Sequence, residues 1–518
     1  MRSSAKKENR QLYQPDLAEF RELAASKANL IPVYRKFPAD LETPVSVYIK
    51  LMDSEGASFL LESVEGGEQV GRYSFIGIRP RGSIILRGRK IDVSSDAVGD
   101  EMPPGEDEDV LDILKAELGR YKQAALPGLP RFSGGAVGYL GYDVVRFFEE
   151  LPATAEPGLS MPDAVFLLAD TLVVFDHARH QLMILANAHL DKSNGEADVE
   201  MAYVEAVQEI ERVAEKLIKP LPAIPARRFG YGKNGKKSHE LVGNIPKNRF
   251  EKMVEEAKEH ISAGDIFQVV LSQRLSRKSD VHPFAIYRAL RMLNPSPYMF
   301  YFDFRDLDFQ VIGSSPEMQV RLEDGQAHVR PIAGTRGRGE NETEDEMLQK
   351  ELMSDPKEQA EHVMLLDLGR NDLGRVSDYG SVIVREQMVV ERYSHVMHLV
   401  SRVEGRLQEG KDAFDLMRAT FPAGTVSGAP KVRAMEIIEA LEGERRGLYA
   451  GAVGYFSHDG SMDTCIAIRT MLVQGDTVYI QAGAGIVADS DPAAEYQECL
   501  NKAQALAEAV DMAEQGLV

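Results

Sequence analysis

Short apolar runs separated by tight turns fill the second half of the chain. An Asp-Gly pair, typical of a two-residue hairpin turn, stands at 324–325 and again at 459–460. Apolar runs of strand length lie at 269–275, 298–304, 328–332, 451–456, 465–473 and 478–482. The 518 residues are 44% hydrophobic, which is enough for a sizeable core. We therefore expect an α+β fold, in which large antiparallel β-sheets form an orthogonal, sandwich-like core with helices on the outside.

Two Pro- and Gly-rich stretches, 98–108 and 219–246, divide the chain. The second is the better boundary, so we predict an N-terminal region of residues 1–240 and a C-terminal region of residues 241–518. The pentapeptide Gly-Ala-Val-Gly-Tyr occurs at 135–139 and recurs at 451–455. The repeat is either chance in a Gly-rich chain or the mark of two equivalent strands in a duplicated core.

The charge balance limits the possible partners. With 60 Lys and Arg against 81 Asp and Glu, the net charge is −21. An acidic surface does not attract nucleic acid or an anionic membrane, although a local basic pocket can still bind a small anion. Cys465 and Cys499 form no C-x-x-C pair, so neither a disulfide framework nor a zinc knuckle is expected. Low cysteine use and a polar start without an apolar segment predict a cytoplasmic protein without a membrane span.

Two predicted helices carry acidic faces. Each begins with an Asp-Pro pair, at 355–356 and at 491–492, with Asp as the N-cap and Pro in the first turn. Two glutamates follow on one face of each helix: Glu358 and Glu361 in the first, Glu495 and Glu498 in the second. Glu358 alone could complete a capping box, and the other glutamates could be solvent-exposed. If the faces meet, four carboxylates require a cation, and oxygen-only ligands favour Mg²⁺ holding an anionic ligand.

A Gly-Ala-Gly segment at 483–485 follows an apolar strand, and Arg469 lies within the apolar run before it. Glycines allow backbone N–H groups to approach an anion, so we expect carboxylate binding by a turn that leads into a helix. A dinucleotide fingerprint is a weaker interpretation, because no parallel βαβ unit surrounds the segment. Arg469 is either part of a structural ion pair or a bidentate clamp on a substrate carboxylate.

Several motifs in the C-terminal region together resemble the chorismate-utilising enzymes, which are the anthranilate, aminodeoxychorismate, isochorismate and salicylate synthases. They are Ser-Ser-Pro-Glu at 314–317, Arg-Pro-Ile-Ala-Gly-Thr-Arg at 330–336, Leu-Gly-Arg-Asn-Asp-Leu-Gly-Arg at 368–375, His-Leu-Val-Ser at 398–401 and Phe-Pro-Ala-Gly-Thr-Val-Ser-Gly-Ala-Pro-Lys at 421–431. Gln268 stands where isochorismate and salicylate synthases carry a water-activating lysine. Ala333 stands where aminodeoxychorismate synthases commonly carry a lysine. Both positions favour resemblance to the large subunit of anthranilate synthase, with that of aminodeoxychorismate synthase as the alternative.

The resemblance implies a role for each matching residue. Glu317 would be the general acid, and His398 would serve the second step as base or orienting group. Mg²⁺ would be bound by Glu361 and Glu498, with Glu358 and Glu495 as outer or additional ligands. Chorismate would be bound by Gly334, Thr335, Thr425, Tyr449, Arg469, Gly483, Ala484, Gly485 and Lys502.

The resemblance also implies an inhibitor and a partner. A tryptophan-binding element in the N-terminal region would comprise Leu61, Glu62 and Ser63, with Asn294, Pro295, Pro297, Tyr298 and Met299 as its other wall. Neither cysteine lies between glycines as an amidotransferase nucleophile does, so ammonia would come free or from glutamine through a separate amidotransferase subunit in a hetero-oligomer. A non-catalytic tryptophan-sensing module and a dinucleotide-binding oxidoreductase are rival hypotheses of other classes.

Overall fold

The computed structural model describes residues 12–52, 56–63, 71–95, 108–190, 196–222, 240–393 and 396–516. The predicted loop at 98–108 and the linker at 219–246 fall largely outside these residues. The helices are α1 (Leu17–Ala24), α2 (Pro44–Leu51), α3 (Val110–Gly119), α4 (Glu196–Leu217), α5 (Lys247–Ser262), α6 (Pro283–Leu293), α7 (Glu342–Ser354), α8 (Pro356–Gly374), α9 (Ala413–Thr420), α10 (Lys431–Glu442) and α11 (Pro492–Gln515). Within the described residues, no helix is both long and apolar enough to cross a membrane.

The strands fall into two groups along the chain. The first group is β1 (Leu30–Pro38), β2 (Ser58–Glu62), β3 (Tyr73–Ile78), β4 (Gly82–Arg87), β5 (Lys90–Ser95), β6 (Gly135–Leu140), β7 (Ala164–Ala169), β8 (Thr171–Asp176) and β9 (Gln181–His189). The second is β10 (Val242–Gly243), β11 (Gln268–Lys278), β12 (Tyr298–Phe304), β13 (Phe309–Ser315), β14 (Met318–Glu323), β15 (Gln326–Val329), β16 (Ile332–Gly337), β17 (Ile383–Arg392), β18 (Val396–Arg406), β19 (Gly428–Ala429), β20 (Ala452–Ser457), β21 (Met462–Ile466), β22 (Thr470–Gln474) and β23 (Thr477–Ile486).

Two large antiparallel sheets contain all of these strands. The first sheet runs in the order β1-β9-β8-β3-β2-β12-β13-β22-β23-β11-β10, and β19 pairs with β11 at its edge. The second runs β16-β18-β15-β14-β21-β20-β6-β7-β4-β5, and β17 pairs with β18. Aromatic and aliphatic side chains from both sheets, among them Phe59, Tyr139, Phe302 and Tyr455, form one buried cluster. The sheets therefore pack face to face, which confirms the predicted α+β class.

Helices cover the outer face of each sheet. Helices α2, α4, α6 and α11 bury their apolar faces against the first sheet. Helices α3, α8 and α9 do the same on the second sheet, whereas α10 packs mainly against β11 and β23 of the first sheet. The layers are thus helix, sheet, sheet, helix, because each strand alternates its side chains between the inner cluster and a helix-covered face.

The strand order confirms that the core is internally duplicated. In the first sheet, β1-β9-β8-β3-β2 is followed by β12-β13-β22-β23-β11, which is the same connectivity in reverse. In the second sheet, β5-β4-β7-β6 is followed by β20-β21-β14-β15, which again repeats the connectivity in reverse order. The repeated pentapeptide lies on β6 and β20, and these strands pair with Gly138 opposite Gly454. A methyl group at either glycine would fall about 2 Å from a neighbouring carbonyl oxygen, at 1.8 and 2.1 Å respectively.

A second pair of matching contacts supports the duplication. The ring of Phe59 on β2 covers Gly77 on β3, and the ring of Phe300 on β12 covers Gly313 on β13. In both places a ring carbon lies 2.0 Å from where a Cβ would be, so only glycine fits beneath the ring. The halves also join directly, through β2 with β12 and β6 with β20. Both sheets are therefore continuous across the predicted boundary near residue 240.

Candidate active site

Two crossings between the sheets place the predicted acid and the predicted arginine in the second half. The chain passes from β13 in the first sheet to β14 in the second through Pro316 and Glu317. It returns from β21 to β22 through residues 467–469. The prediction of one strand over 465–473 is therefore wrong: there are two strands in different sheets. Arg469 takes up the change of direction with a φ of 50°, a conformation that non-glycine residues seldom adopt.

Glu317 is a buried carboxyl group. Only 8% of the residue is exposed, and burial raises the pKa of its carboxyl group to about 8. The Thr425 hydroxyl interacts with the carboxyl group and lowers this pKa to a smaller extent. A carboxylic acid with this pKa is largely protonated at neutral pH and can donate a proton to a leaving group. The environment of Glu317 thus fits the predicted general acid.

Arg469 is a half-buried cation without a counter-ion in the part of the chain that the structure describes. Its guanidinium forms no ion pair with any described carboxylate, so the structural interpretation of this arginine is wrong. Burial lowers its pKa, while Tyr449 and Glu498 raise it. A buried charge is costly unless it is paired, and a guanidinium matches a carboxylate with two parallel hydrogen bonds. The site therefore favours an anionic ligand beside Arg469.

The Gly-Ala-Gly segment lies inside strand β23 and not in a turn, which corrects the prediction. Gly483 and Gly485 pair with residues of β11, whereas the pairing of β22 with β23 ends at Ile480. Beyond Ile480 that edge of β23 has no partner strand among the described residues, so its alternate backbone N–H groups can reach a ligand. Ala484 contributes its backbone, because its side chain is buried in the core.

Close neighbours explain why these positions are glycine. A Cβ at Gly483 would lie 2.7 Å from the Tyr449 hydroxyl, and a Cβ at Gly485 would lie 2.7 Å from Nε2 of Gln268. Lys502 on α11 donates from Nζ to the carbonyl of Gly483 at 2.9 Å. The structure thus brings together the predicted residues Tyr449, Gly483 and Lys502.

His398 on β18 is held in one tautomer by its neighbours. Its Nδ1 lies 3.0 Å from the carbonyl oxygen of Gly334 and 3.0 Å from Oγ1 of Thr335. A carbonyl oxygen only accepts, so Nδ1 carries the proton and Nε2 is left as the basic nitrogen. Gly334 has a φ of 70° at a bulge between β16 and β18, which turns its carbonyl toward the ring. Burial lowers the pKa of His398, and nearby Arg469 lowers it further, so the ring is neutral and can accept a proton.

The two acidic helices begin as predicted. Asp355 caps α8 by accepting from the backbone N–H groups of residues 357 and 358, and Asp491 caps α11 by accepting from that of residue 494. Glu358 does not complete a capping box, because its carboxylate accepts from Nη1 of Arg336 at 3.0 Å. Arg336 belongs to the motif at 330–336 but was assigned no role from the sequence, because it lies on β16 and no local pattern indicates that it meets α8.

The expected crowding of all four carboxylates is not present. No three metal-binding side chains come together within the described ranges. Glu361 accepts from Nε2 of Gln268 at 3.0 Å, and Lys502 is 2.7 Å from Glu498. Burial raises the pKa of Glu361, and Glu358 and Glu498 raise it further. Burial also raises the pKa of Glu495, with a smaller rise from Glu498.

These carboxylates still fit a magnesium ion. Mg²⁺ takes one or two protein carboxylates and completes its shell with water and substrate oxygens. Glu361 and Glu498 interact across the two helices, and their mutual repulsion would be relieved by a cation. Gln268 would orient Glu361, as residues hydrogen-bonded to metal ligands commonly do. Glu361 and Glu498 are thus the two carboxylates that could hold such an ion directly.

The first half of the chain holds a charge-reversed counterpart of this site. Arg81 follows Pro80 at the crossing from β3 to β4, where Glu317 follows Pro316 in the second half. Asp170 lies at the crossing from β7 to β8, the counterpart of the Arg469 crossing. The Nε of Arg81 lies 3.1 Å from a carboxylate oxygen of Asp170. In the first half, an ion pair therefore occupies the position that corresponds to the candidate active site. Only the second copy leaves a cation available for a ligand.

A separate cavity lies where the two halves join. It has a volume of about 70 Å³, and its walls include Leu61, Glu62, Ser63, Pro297, Tyr298 and Met299. Asn294 and Pro295, also predicted, do not line it; the carbonyl of Asn294 instead accepts from the Ser314 hydroxyl. The carboxylate of Glu62 is engaged by Nε of Arg291 at 3.0 Å. Cys465, which no motif had indicated, also lines this cavity.

Comparison with known proteins covers both halves of the chain. A family model described as chorismate binding enzyme matches residues 56–508. "Anthranilate synthase component 1" of Acetivibrio thermocellus is 46% identical over 519 residues, 97% of this chain and 99% of the relative. The protein of the same name from Synechocystis sp. is 48% identical over 513 residues, 96% and 99% of the two chains. The crystal structure of anthranilate synthase component I from Streptococcus pneumoniae TIGR4 matches with a TM-score of 0.74 at 38% identity, over 91% of this chain and 99% of that chain.

Proposed function

Because the chain belongs to the chorismate binding enzyme family, we propose that it converts chorismate and ammonia to anthranilate and pyruvate, as the large component of an anthranilate synthase. The nearly full-length similarity to two proteins of that name supports the proposal. The observation that carries it is the half-buried guanidinium of Arg469, which lacks a carboxylate partner among the described residues and lies near the neutral His398. Chorismate is a dicarboxylate with a hydroxyl leaving group, and it supplies what these groups require.

The first step replaces the ring hydroxyl. The nitrogen lone pair of ammonia forms a bond to ring C2, the two conjugated ring double bonds shift, and the C4–O bond breaks. Hydroxide is a poor leaving group, so Glu317 gives its proton to the departing oxygen and water leaves. Arg469 and the N–H groups at the open edge of β23 would hold the enolpyruvyl carboxylate during this step. Thr425, which interacts with the Glu317 carboxyl group, would fix the position of the acid.

The second step makes the ring aromatic. The proton at C2 is removed, the bond between the ring and the enolpyruvyl oxygen breaks, and pyruvate leaves with a proton added to its methylene carbon. The unprotonated Nε2 of His398 is suited to accept or guide the C2 proton, since Nδ1 is bound to Gly334. The two steps together balance, since chorismate and ammonia give anthranilate, pyruvate and one water.

The chain's carboxylates would complete the substrate site with Mg²⁺. Glu361 and Glu498 would hold the ion, and it would neutralise the ring carboxylate of chorismate. Glu495 would serve as an outer ligand, while Glu358 is engaged by Arg336. Lys502 would keep Glu498 in position.

Ammonia would be supplied by a separate glutamine amidotransferase subunit, so the working enzyme would be a hetero-oligomer. The two cysteines, Cys465 and Cys499, are free, buried and of raised pKa, which does not suit a nucleophile that must meet glutamine. Free, unpaired cysteines also favour a reducing, cytoplasmic location.

The cavity at the junction of the halves is proposed as an inhibitory tryptophan site. Its walls are mostly apolar, with the rings of Tyr298 and Phe300 on one side. A flat apolar ring with a charged amino acid head would suit such a cavity.

The large component of aminodeoxychorismate synthase is the second candidate function. Ala333 is the residue against it, since its side chain offers no amine to attack the ring.

The product identifies the activity. The purified chain would be incubated with chorismate, Mg²⁺ and an ammonium salt, and the aromatic product would be identified by fluorescence and mass. Anthranilate with pyruvate, abolished by EDTA, is the expected result. Aminodeoxychorismate as the product would show that Ala333 does not exclude that activity. Isochorismate as the product would show that Gln268 does not exclude water as the nucleophile.

A further inference from the structure

A second cavity adjoins the proposed acid. It has a volume of about 50 Å³ and is lined by Glu317 and Thr425 at the active site. Met318, Val329 and Arg330 line it too, and these three also line a wide open cleft of about 1640 Å³ on the surface. The cavity therefore adjoins Glu317 and shares three of its lining residues with the open cleft.

Two polar side chains that line this cavity, Thr425 and Gln319, each have a buried oxygen without a hydrogen-bond partner among the described residues. Gln319 on β14 is only 4% exposed, and its Nε2 donates to the carbonyl of Thr420 at 3.0 Å. That bond fixes the amide, so Oε1 is the atom that remains, and it has no hydrogen-bond donor among the described residues. A buried acceptor left without a donor destabilises the folded protein. The cavity thus contains an acceptor that a small donor molecule would satisfy.

The charged groups around the cavity are already neutralised. Asp372 is paired with Nζ of Lys431 at 2.8 Å, and Arg330 is paired with Glu391. The rest of the lining is largely apolar, with Leu365 and Leu368 from α8. An ion would gain little here, whereas a water molecule fits the volume and the exposed acceptor.

We propose that this cavity holds water that returns a proton to Glu317 after each turnover, with Gln319 as the positioning residue for that water. The proposal rests on the function proposed above, in which Glu317 gives its proton to the C4 oxygen. Addition of ammonia and removal of the C2 proton release two protons, while formation of water and of pyruvate takes up two. Glu317 is reprotonated from solvent through the cavity, and the protons released at C2 reach solvent in exchange, so the cycle balances.

The test compares two independent ways of disturbing the cavity. Gln319→Leu removes the acceptor and keeps the approximate volume, and Val329→Leu narrows the cavity from the cleft side without touching a polar group. Gln310→Leu is the control, because Gln310 is a half-buried glutamine on the neighbouring strand β13 that pairs with Asp303 away from the cavity. Each protein is assayed with saturating ammonium salt for kcat, for KM of chorismate and for the solvent deuterium isotope effect on kcat, and with varied ammonium salt for KM of ammonia.

We expect kcat to fall about tenfold in both cavity variants, which is less than loss of the acid itself would give. KM is expected to stay within about twofold and the isotope effect to rise, because proton return becomes slower than chemistry. An unchanged kcat and isotope effect in folded Gln319→Leu and Val329→Leu would overturn the proposal. So would a rise in KM that matches the fall in kcat, since that is the pattern of a misplaced substrate. Absence of anthranilate formation by the unaltered chain would instead refute the proposed function.

Discussion

Replacing Glu317 by Gln tests the proposed acid most directly, because it keeps the shape of the side chain and removes the proton. Burial raises the pKa of this carboxyl group from 4.5 to about 8. At about 1.4 kcal/mol for each pKa unit, roughly 5 kcal/mol opposes its ionisation in the folded protein. A positioned general acid typically contributes a factor of about 100 to 10,000, so we expect kcat for anthranilate to fall about 1000-fold in E317Q.

The same group predicts how stability and activity depend on pH. Since the folded-state pKa is raised, the stability contributed by the neutral acid is complete below the unfolded pKa of 4.5 and is lost as pH rises through about 8. E317Q should therefore have a Tm close to that of the parent at pH 4, and its Tm should exceed that of the parent increasingly as pH rises from 4.5 to about 8. The kcat of the parent should fall as pH rises through about 8, because the acid loses its proton.

The assay is anthranilate fluorescence with ammonium salt, run beside thermal unfolding across the pH range. Glu323→Gln is the matched control, because Glu323 is an exposed glutamate at the end of the same strand, β14. It should leave kcat and the pH dependence of Tm unchanged. An E317Q protein that keeps more than about one tenth of its kcat would refute the assignment of Glu317 as the acid.

Four further outcomes are expected. Arg469→Met should raise KM for chorismate about 50-fold, because hydrogen bonds to a charged group contribute about 1.5–3 kcal/mol. An unchanged KM would contradict the proposal that Arg469 binds the substrate carboxylate. His398→Ala should slow pyruvate release more than ammonia addition, so that an amino intermediate accumulates in mass spectra; equal loss of both steps would contradict this. Gly485→Ala should displace Gln268 and raise the Mg²⁺ requirement about tenfold, whereas Gly374→Ala, which has no atom within 4 Å of the added Cβ, should not. Ser63→Phe should fill the cavity at the junction and abolish both tryptophan inhibition and tryptophan-induced thermal stabilisation without changing kcat; retained inhibition would place tryptophan elsewhere.

Local signals in the sequence predicted much of the fold correctly. The strand expected at 298–304 is β12, and both Asp-Pro pairs begin helices as expected. These features depend on neighbouring residues alone, through strand patterning and N-capping. The repeated pentapeptide at 135–139 and 451–455 left chance and duplication open, and the repeated strand order, with β6 paired to β20, shows that the core is duplicated.

Long-range arrangements were harder to predict. The apolar run at 465–473 conceals a change of sheet at Arg469, because both strands are buried and neither shows an alternating pattern. Gly483 and Gly485 resemble a turn in sequence, yet they are strand residues whose missing Cβ atoms make room for Tyr449 and Gln268. The contact between Arg336 and Glu358 joins separate elements, and nothing in the local sequence specifies that they meet.

The duplicated core has a consequence for how such a chain could acquire control. Each copy of the repeat could in principle bind a ligand at its own sheet crossing, but the first copy has been locked by Arg81 and Asp170. The seam between β2 and β12 is new surface that a single copy never possessed, and the cavity lined by Leu61 and Met299 opens there. A molecule bound at the seam contacts both copies at once, so its binding depends on the relative position of the two copies. Joining two copies of one fold thus creates, without any added domain, a place where a signal can act on the copy that retains the chemistry.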